Sequence, residues 1–466
     1  MPTHIPRTEL RARFALGLAR LYGREVPAYD TLVEVSREVN EDYVARHGAD
    51  AARLGSIERV TAERHGAIRV GSARELAQVG RVFGGFGMHP VGFYDLRDAS
   101  RSSVPVVSTA FRPVDAGELA QNPFRVFTSM LVHDDRRFFD AQTQARLEAF
   151  MAARTLFPAE LLALADRSLA EDGLGQADAD RFLDLATASF ALSREPVDHD
   201  WYFHLERISS VAADIGGVPS THINHLTPRV LDIDDLYARM QARGIAMIDE
   251  IQGPPRWEGP DVLLRQTSFR ALAEERLFRH PDGEVRSGSL RVRFGEVEQR
   301  GIALTTTGRD LYDRMVAEAD RRLADAPPGT TRVEVAADVW RERLPATERD
   351  LATHGLGFFT YRVAEAARAP GGQATLRTLV EAGTLVPEPI VYEDFLPRSA
   401  AGIFQSNLTD EGTRDDEQAS THYDIGRLSD VVGLPISDPT SLYDAQQAAS
   451  LTAAEGTLGI RIAVEA

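Results

Sequence analysis

Residues 222–229, with the sequence HINHLTPR, form the segment around which the rest of the chain is organised. Two other short segments carry matching chemistry: ERHGAIR at residues 63–69 and RFGEVEQRG at residues 293–301. The three segments lie far apart in sequence, and between them they supply histidines and carboxylates. Two imidazoles and one carboxylate are the ligand set of many mononuclear iron sites. A fold that brings these segments together would therefore provide a site for one metal ion.

The residue pattern around the three segments predicts the order strand, helix, strand, strand, strand, and predicts it twice. In the first copy, a short apolar strand from Ala67 precedes a helix over 72–82 that begins with a serine cap, and three extended runs follow. In the second copy, a strand over 222–230 precedes a helix over 232–243. Further strands are predicted at 246–251, 262–269 and 290–304. The chain therefore contains an internal repeat of secondary-structure order, without a repeat of the amino-acid sequence itself.

Helical periodicity fills most of the remaining sequence, so the predicted fold class is α+β. At 466 residues the chain exceeds the size at which one hydrophobic core usually stops growing, and several parts are expected. The predicted parts are a helical N-terminal segment (1–62), a first module (63–135), a helical insertion (136–214), a second module (215–310) and a mostly helical C-terminal region (311–466) with a loop at 391–408.

Composition and charge exclude several classes of protein. The net charge of −18 opposes binding to nucleic acid or anionic lipid, both of which require a basic surface. The chain has no cysteine, which excludes disulfides, thiolate zinc sites and iron–sulfur clusters, so that a metal would be bound by nitrogen and oxygen. Neither a signal-like N-terminus nor an apolar run of about 18 residues is present. We therefore expect a soluble cytoplasmic protein, and no sequence pattern specifies its oligomeric state.

The two histidines of the first segment cannot both enter one site if the segment is a strand. His222 and His225 are three residues apart, which places them on opposite faces of a strand. We favour His225 as the candidate ligand. The alternative is that both histidines only complete hydrogen bonds at the end of a strand, since a lone histidine is more often structural than a ligand.

The carboxylate segment leaves a choice open. Glu296 and Glu298 are two residues apart and share one face of a strand, so alternation cannot separate them. Phe294 lies on the same face and apolar residues follow at 302–304, which indicates a strand that is at least half buried. A buried carboxylate needs a partner, and a metal is one such partner. The alternative is a pair of surface charges on an edge strand.

His65 and Arg69 are candidates for the two ends of a substrate site. Gly66 and the β-branched Ile68 favour an extended segment, in which four residues span about 13 Å on one face. That distance suits a metal at one end and a guanidinium that binds a carboxylate at the other, with a six-carbon diacid bridging them. The alternative is an ordinary surface arginine beside a core histidine.

Taken with LLRQTSF at 263–269, YEDFLP at 392–397 and SAAGIFQSNL at 399–408, these segments resemble a known family. It is the 2-oxoadipate dioxygenase/decarboxylase (hydroxyglutarate synthase) family of the vicinal oxygen chelate superfamily, and the resemblance covers almost the whole chain. The resemblance implies a pair of βαβββ modules that form a cupped mixed sheet around one ferrous ion, with added helices.

The resemblance also implies the residues of the site. His65, His225 and Glu296 would bind Fe(2+), and Arg69 would bind the far carboxylate of the substrate. The choice of Glu296 agrees with related 4-hydroxyphenylpyruvate dioxygenases, in which the ligand glutamate precedes Gln-Arg by the same interval. Arg398 and Ser399 would bind the substrate as well, since the resemblance implies that the backbone there contacts it. Ser399 is shared with the family, whereas Arg398 stands where the family usually has valine, and this difference bears on the length of the substrate.

The implied reaction is the oxidative decarboxylation and hydroxylation of 2-oxoadipate by O2, which gives 2-hydroxyglutarate and CO2 in lysine catabolism. The expected partners are thus a small 2-oxo diacid and O2, with no nucleic acid and no membrane. Two other interpretations remain: a lyase or isomerase without a redox step that uses zinc or nickel on the same fold, and a non-enzymatic helical interaction protein.

Overall fold

The computed structural model describes residues 4–98, 104–271, 273–290, 293–365, 374–396 and 413–464, which form an α+β fold. Its N-terminal elements are strand β1 (His4–Pro6), helices α1 (Arg7–Glu25) and α2 (Ala28–His47), a 3₁₀ helix (Gly48–Ala52) and helix α3 (Ile57–Ala62). Helix α1 buries Leu10, Phe14, Leu18 and Leu21, whose spacing places them on one face. Among the described residues, no helix is both long and apolar enough to cross a membrane.

The first module has the predicted order of elements, with one short helix added. Its elements are β2 (Arg64–Val70), α4 (Ala73–Gly84), β3 (His89–Asp95), β4 (Val106–Arg112), α5 (Ala116–Gln121) and β5 (Arg125–Leu131). Helix α4 begins where the sequence predicts, because the Ser72 side chain accepts a hydrogen bond from the backbone N–H of Glu75. Strands β2 and β5 are parallel, whereas β3, β4 and β5 are joined by antiparallel pairs.

The residues between the two modules are mostly helical. Their elements are α6 (Ala141–Ala153), α7 (Ala159–Glu171), β6 (Gly173–Gly175), α8 (Gln176–Ser189), β7 (Val197–Asp198), α9 (His199–Ile208) and α10 (Ser210–Gly217). The short strand β6 pairs with β1, which attaches this helical part to the N-terminal helices.

The second module repeats the order of the first but contains an extra hairpin. Its elements are β8 (His225–Pro228), α11 (Ile233–Ala242), β9 (Leu264–Ser268), β10 (Glu274–Arg279), β11 (Val285–Leu290) and β12 (Glu296–Arg300). The hairpin β10–β11 pairs with β7 rather than with the other strands of the module, and β9 pairs with β12.

The two modules join through β2 and β8, which are antiparallel neighbours in the sheet order β3-β4-β5-β2-β8. Beyond β8, a bridge between Arg229 and Glu298 connects β12, and β12 pairs with β9. Bridges from Gln252 to Gln266 on β9, and from Met247 to Phe269 directly after it, complete this side. In each module the spatial order is first, fourth, third and second strand. The predicted pair of βαβββ modules is therefore confirmed.

Three predicted strands differ in extent. The strand predicted at 222–230 begins only at His225, because the N–H of Ile223 bonds to the carbonyl of Phe190 in the helical part instead of to β2. The segment 246–251 makes isolated bridges rather than a strand, and it leads into Pro254 and Pro255, which have no N–H to donate. Of the strand predicted at 290–304, residues 293–295 are not in a strand, and β12 runs only from Glu296 to Arg300.

The C-terminal region contains more strands than the sequence indicated. Its elements are α12 (Thr306–Ala324), α13 (Arg332–Arg343), α14 (Glu348–Thr353), β13 (Phe359–Val363), β14 (Ala374–Thr375), α15 (Leu376–Glu381), β15 (Leu385–Pro389), α16 (Ile425–Val432), α17 (Pro439–Leu458) and β16 (Ile462–Ala463). Strand β13 pairs with β15, and β14 pairs with β16. In β13 the aromatic Phe359 and Tyr361 alternate with polar residues and are buried on one face, which is the pattern of a strand.

The two faces of β2 contact different parts of the hydrophobic core. Ile68 and Val70 belong to the cluster that includes residues of α1, α2 and α4. Ala67 belongs to the cluster built with the helices between the modules and with Phe395. By the alternation of a strand, His65 and Arg69 share the face of Ala67. The candidate residues therefore lie between the sheet and those helices.

We expect Gly301, directly after β12, to be required for stability. A Cβ atom there would lie 2.4 Å from the carbonyl carbon and oxygen of Asp261 and 2.6 Å from the nitrogen of Val262. Because these are backbone atoms that cannot rotate away, Gly301→Ala should lower the free energy of unfolding by about 1–3 kcal/mol. Chemical denaturation measures this change.

The matched control is Gly456→Ala in helix α17, where a Cβ atom would meet nothing within 4 Å. Alanine is the better helix former, so this variant should be more stable than the parent by up to about 1 kcal/mol. Equal effects of the two substitutions would contradict the close packing at Gly301.

Candidate metal centre

Three strands bring the candidate ligands together. His65 is the second residue of β2, His225 is the first residue of β8, and Glu296 is the first residue of β12. The antiparallel register of β2 and β8 places Ala67 opposite His225 and His65 opposite Thr227. The junction between the two modules therefore collects residues from three distant segments of the sequence.

The donor atoms of this group face one another. Nε2 of His65 lies 3.3 Å from Oε1 of Glu296, and Nε2 of His225 lies 3.7 Å from Oε2 of the same carboxylate. The two imidazole rings are perpendicular, with centroids 5.3 Å apart. One donor atom from each residue lies within 4.8 Å of the other two. Ligands held about 2.1 Å from an octahedral ion lie about 3 Å apart, so a small contraction would accommodate a divalent metal.

The protonation of His225 suits a metal ligand. Burial lowers its pKa to about 4, so the ring is neutral near pH 7. Neither of its ring nitrogens has a hydrogen-bond partner among the described residues, although the side chain is buried. A buried polar atom without a partner is costly, and a metal bound to Nε2 would remove that cost. The residues present therefore fit a metal.

Glu298 supports His65 instead of joining the group. Its Oε2 lies 2.8 Å from Nδ1 of His65, which leaves Nε2 of that ring directed at Glu296. Arg300 donates to both oxygens of Glu298 at 2.7 and 2.8 Å, and Arg125 donates to Oε1 at 3.2 Å. Burial opposes ionisation of Glu298, but Arg300, His65 and Arg125 outweigh it and hold its pKa below the ordinary value. A carboxylate behind a histidine fixes its tautomer and orientation.

Glu296 has different surroundings from Glu298. The side-chain amide of Gln266, on β9, donates to its Oε1, and no salt bridge to an arginine is found for it among the described residues. Burial opposes charge on His65, but Glu298 and Glu296 outweigh it and raise the pKa of the ring, as expected for an imidazole between two carboxylates. The structure therefore separates two glutamates that strand alternation could not.

Aromatic rings close the group on two sides. The Phe395 ring lies edge-on to His65 with centroids 5.0 Å apart, and the Phe294 ring lies 5.3 Å from that of His225. Both phenylalanines are buried. Apolar walls of this kind exclude water, which strengthens electrostatic interactions inside the site.

Arg69 lies four residues along β2 from His65 and is buried. Its Nη1 donates to Oδ2 of Asp214, on α10, at 2.5 Å. His222, which the structure keeps apart from the candidate ligands, contacts this same carboxylate, with Nε2 3.3 Å from Oδ1 of Asp214. The other two predicted substrate residues, Arg398 and Ser399, lie outside the described residues.

Sequence reasoning missed Asp214, Glu298 as a partner of His65, and Gln266. Gln266 lies in one of the segments that carry the family resemblance, so the sequence marked this residue as part of the family pattern but did not indicate that it would contact Glu296. Asp214 lies in a helix whose pattern indicates burial alone, and no local feature connects it with β2.

Comparisons with known proteins agree over the length of the chain. The model of the family described as 2-oxoadipate dioxygenase/decarboxylase matches residues 14–407. A relative from Mycobacterium tuberculosis with that name is 55% identical over 437 residues, which cover 94% of this chain and 96% of the relative. A relative of the same name from Pseudomonas putida is 40% identical over 464 residues and 97% of each chain.

A solved structure is also similar. It is the hydroxyglutarate synthase from Pseudomonas putida in complex with 2-oxoadipate, with a TM-score of 0.83 and 36% sequence identity. The match covers 98% of this chain and 99% of that one. A protein from Shigella flexneri that includes the domain DUF1338 matches with a TM-score of 0.80, 34% identity and coverage of 96% and 99%.

We expect His225 and His222 to differ in their effect on metal binding. His225→Ala removes a donor atom from the group and should abolish stoichiometric binding of Fe(2+) or Co(2+), measured by metal analysis after anaerobic gel filtration. His222→Ala is the matched control, because this histidine contacts Asp214 instead, and it should leave the metal content unchanged. Loss of metal in the His222 variant alone would overturn the assignment.

Proposed function

The chain belongs to the 2-oxoadipate dioxygenase/decarboxylase family, and we propose that it converts 2-oxoadipate and O2 into 2-hydroxyglutarate and CO2 with Fe(2+) as cofactor. The observation that supports this most directly is the buried group of His65, His225 and Glu296, with Arg69 on the same strand face as His65. The names of its relatives indicate that the protein is an enzyme that acts on a 2-oxo diacid.

The ligand set is one that ferrous iron takes, and membership of a dioxygenase family favours iron over zinc. Two neutral imidazoles and one carboxylate on one face of the ion, with open positions opposite, are typical of non-haem Fe(2+) oxygenases. His65, His225 and Glu296 would hold the ion, which when bound supplies the binding and reduction of O2. Glu298 would keep the Nδ1 proton of His65 on the side away from the metal, since it lies 2.8 Å from that nitrogen.

The two ends of the proposed substrate match the two ends of the strand face. The 2-oxo acid group has two vicinal oxygens that would bind at the metal end of the site. The far carboxylate would bind Arg69 at the other end. Four residues of a strand span about 13 Å, which leaves room for both groups and the carbon chain between them. The residue between His65 and Arg69 on this face is Ala67, so β2 itself places only a methyl group between the ends.

Arg69 suits the far carboxylate because a guanidinium can make two parallel charge-assisted hydrogen bonds that orient the substrate. Phe395 and Phe294 exclude water beside the two histidines, which protects the reaction from side reactions with solvent. The residues of the chain therefore bind, orient and shield the substrate.

The proposed reaction balances without a second organic substrate. The bond between C1 and C2 of 2-oxoadipate breaks and C1 leaves as CO2. One oxygen atom of O2 enters the new carboxylate at C2, and the other becomes the hydroxyl group on the neighbouring carbon. O2 is the only oxidant, and the four electrons that reduce it come in two pairs, one from the C1–C2 bond that breaks and one from a C–H bond of the carbon next to C2. A zinc- or nickel-dependent lyase or isomerase on this fold would instead require no O2.

The first prediction of this proposal concerns O2. Anaerobic enzyme loaded with Fe(2+) should not turn over 2-oxoadipate until O2 is admitted, and O2 uptake should then equal CO2 release. An oxygen electrode and a carbon dioxide assay on the same sample measure the two quantities. Turnover without O2, or with zinc in place of iron, would favour the non-redox alternative.

The second prediction concerns Arg69. Arg69→Lys keeps the charge but loses the planar fork, and loss of a charge-assisted hydrogen bond costs about 1.5–3 kcal/mol. With the diacid as substrate, we therefore expect kcat/KM to fall by about tenfold or more. The control is Arg362→Lys on β13, where Arg362 makes an exposed ion pair with Glu388 on β15, and this variant should leave the kinetics unchanged. Unchanged kinetics in both variants would remove Arg69 from the substrate site.

A further inference from the structure

A buried group of polar side chains is joined to the Arg69 guanidinium through Asp214, which also contacts His222 and Asn224. We propose that Asp214 is a positioning residue, which holds Arg69 in the orientation that recognises the far carboxylate and so sets the preference for 2-oxo diacids over 2-oxo monoacids. This inference rests on the proposed function, because it assigns Arg69 to the substrate.

The contact between the two residues is close and shielded from solvent. Nη1 of Arg69 lies 2.5 Å from Oδ2 of Asp214, and both side chains are 3% exposed. A charge in such a place requires a partner, since burial removes the hydration that stabilises it. Asp214 supplies the compensating charge in the absence of substrate.

Asp214 is itself held in place. The side-chain amide of Asn224 donates to its Oδ2 at 3.0 Å and also lies 3.1 Å from Nε2 of His222. Burial lowers the pKa of His222 to about 4, so this ring is a neutral partner. Burial opposes ionisation of Asp214, but the positive charge of Arg69 and the hydrogen bonds from Arg69 and Asn224 favour it and lower the pKa of Asp214, so the carboxylate remains charged.

The backbone of Arg69 is held by a neighbouring segment of the chain. The Thr221 hydroxyl donates to its carbonyl oxygen at 2.6 Å. Thr221 and Asn224 both lie in the segment between α10 and β8, and Asn224 directly precedes the candidate ligand His225. The segment from Thr221 to Asn224 thus holds Arg69 and leads directly to His225. The same residues therefore help to set the separation between the carboxylate end and the metal end of the site.

This arrangement favours selectivity for the diacid, because a free arginine side chain has many rotamers and only some of them direct the guanidinium at the far carboxylate. Holding the guanidinium in one orientation before substrate arrives removes the entropy loss that binding would otherwise incur. Without the Asp214 carboxylate, the guanidinium would lose the hydrogen bond to Nη1 and the opposite charge 2.5 Å away, and it would turn toward other acceptors. The far carboxylate would then lose its aligned donors, whereas a substrate without that carboxylate would be unaffected.

The test compares 2-oxoadipate with 2-oxohexanoate, which has the same chain length but no far carboxylate. Dissociation constants for both acids are measured by calorimetry on the anaerobic metal-loaded enzyme, and steady-state kinetics are then measured in O2. In Asp214→Asn we expect the dissociation constant and the Michaelis constant to rise about tenfold for the diacid. Both constants for the monoacid, and the amount of bound metal, should not change.

The control is Asp166→Asn, which breaks an exposed ion pair with Arg81 and should leave the preference unchanged. If Asp214→Asn does not fold, Asp214→Glu retains the charge but moves the carboxylate by one methylene, and it should reduce the preference for the diacid to a smaller extent. A preference that is unchanged or increased in the folded variant overturns the proposal. So does a parent enzyme that binds both acids equally well.

Failure of the proposed function is distinguishable from these outcomes. It would appear as absence of O2-dependent CO2 release from 2-oxoadipate in the parent enzyme, whatever the anaerobic dissociation constants. A diacid preference in binding that depends on Asp214 would then still support the positioning role.

Discussion

The fold depends on a buried network of opposite charges where strands of both modules meet the segment 391–396. The Arg125 guanidinium, fully buried, donates to Glu63 at 2.7 Å, to Glu298 at 3.2 Å and to Glu393. Arg229 donates to the second oxygen of Glu63 at 2.8 Å. Removal of one partner from a buried ion pair typically costs about 3–5 kcal/mol, since the remaining charge has neither water nor a counter-ion. The relative placement of the strands is therefore tied to these contacts.

The network reaches the candidate metal centre through Glu298. Two arginines bind this carboxylate, which in turn lies against Nδ1 of His65. Glu296, two residues earlier on the same face, lacks such arginine contacts among the described residues and faces the imidazoles instead. The difference between the two glutamates is thus set by Arg125 and Arg300, of which Arg125 comes from the other module. An isolated strand sequence contains no information about that partner.

The sequence predicted those features that have a local physical signal. Helix α4 follows from the Ser72 cap and its apolar period, and the repeated order of strands follows from alternation. The strand argument allowed only one of His222 and His225 into the site, and the family resemblance pointed to His225, which the structure brings to His65 and Glu296. The premise of the strand argument was wrong, because His222 lies before β8. Asp214 could not be predicted, since it pairs with a residue 145 positions away and lies in a helix whose pattern indicates only burial.

A chain with a net charge of −18 must bind an anionic diacid against its own field, and the site suggests how. A divalent ion held by two neutral imidazoles and Glu296 would carry a local charge of about +1, which matches one substrate carboxylate. The pair of Arg69 and Asp214 is neutral as a whole. Attraction at the far end must therefore come from the directed N–H groups of the guanidinium rather than from net charge. Recognition there depends on orientation, and so on the residues that hold Arg69.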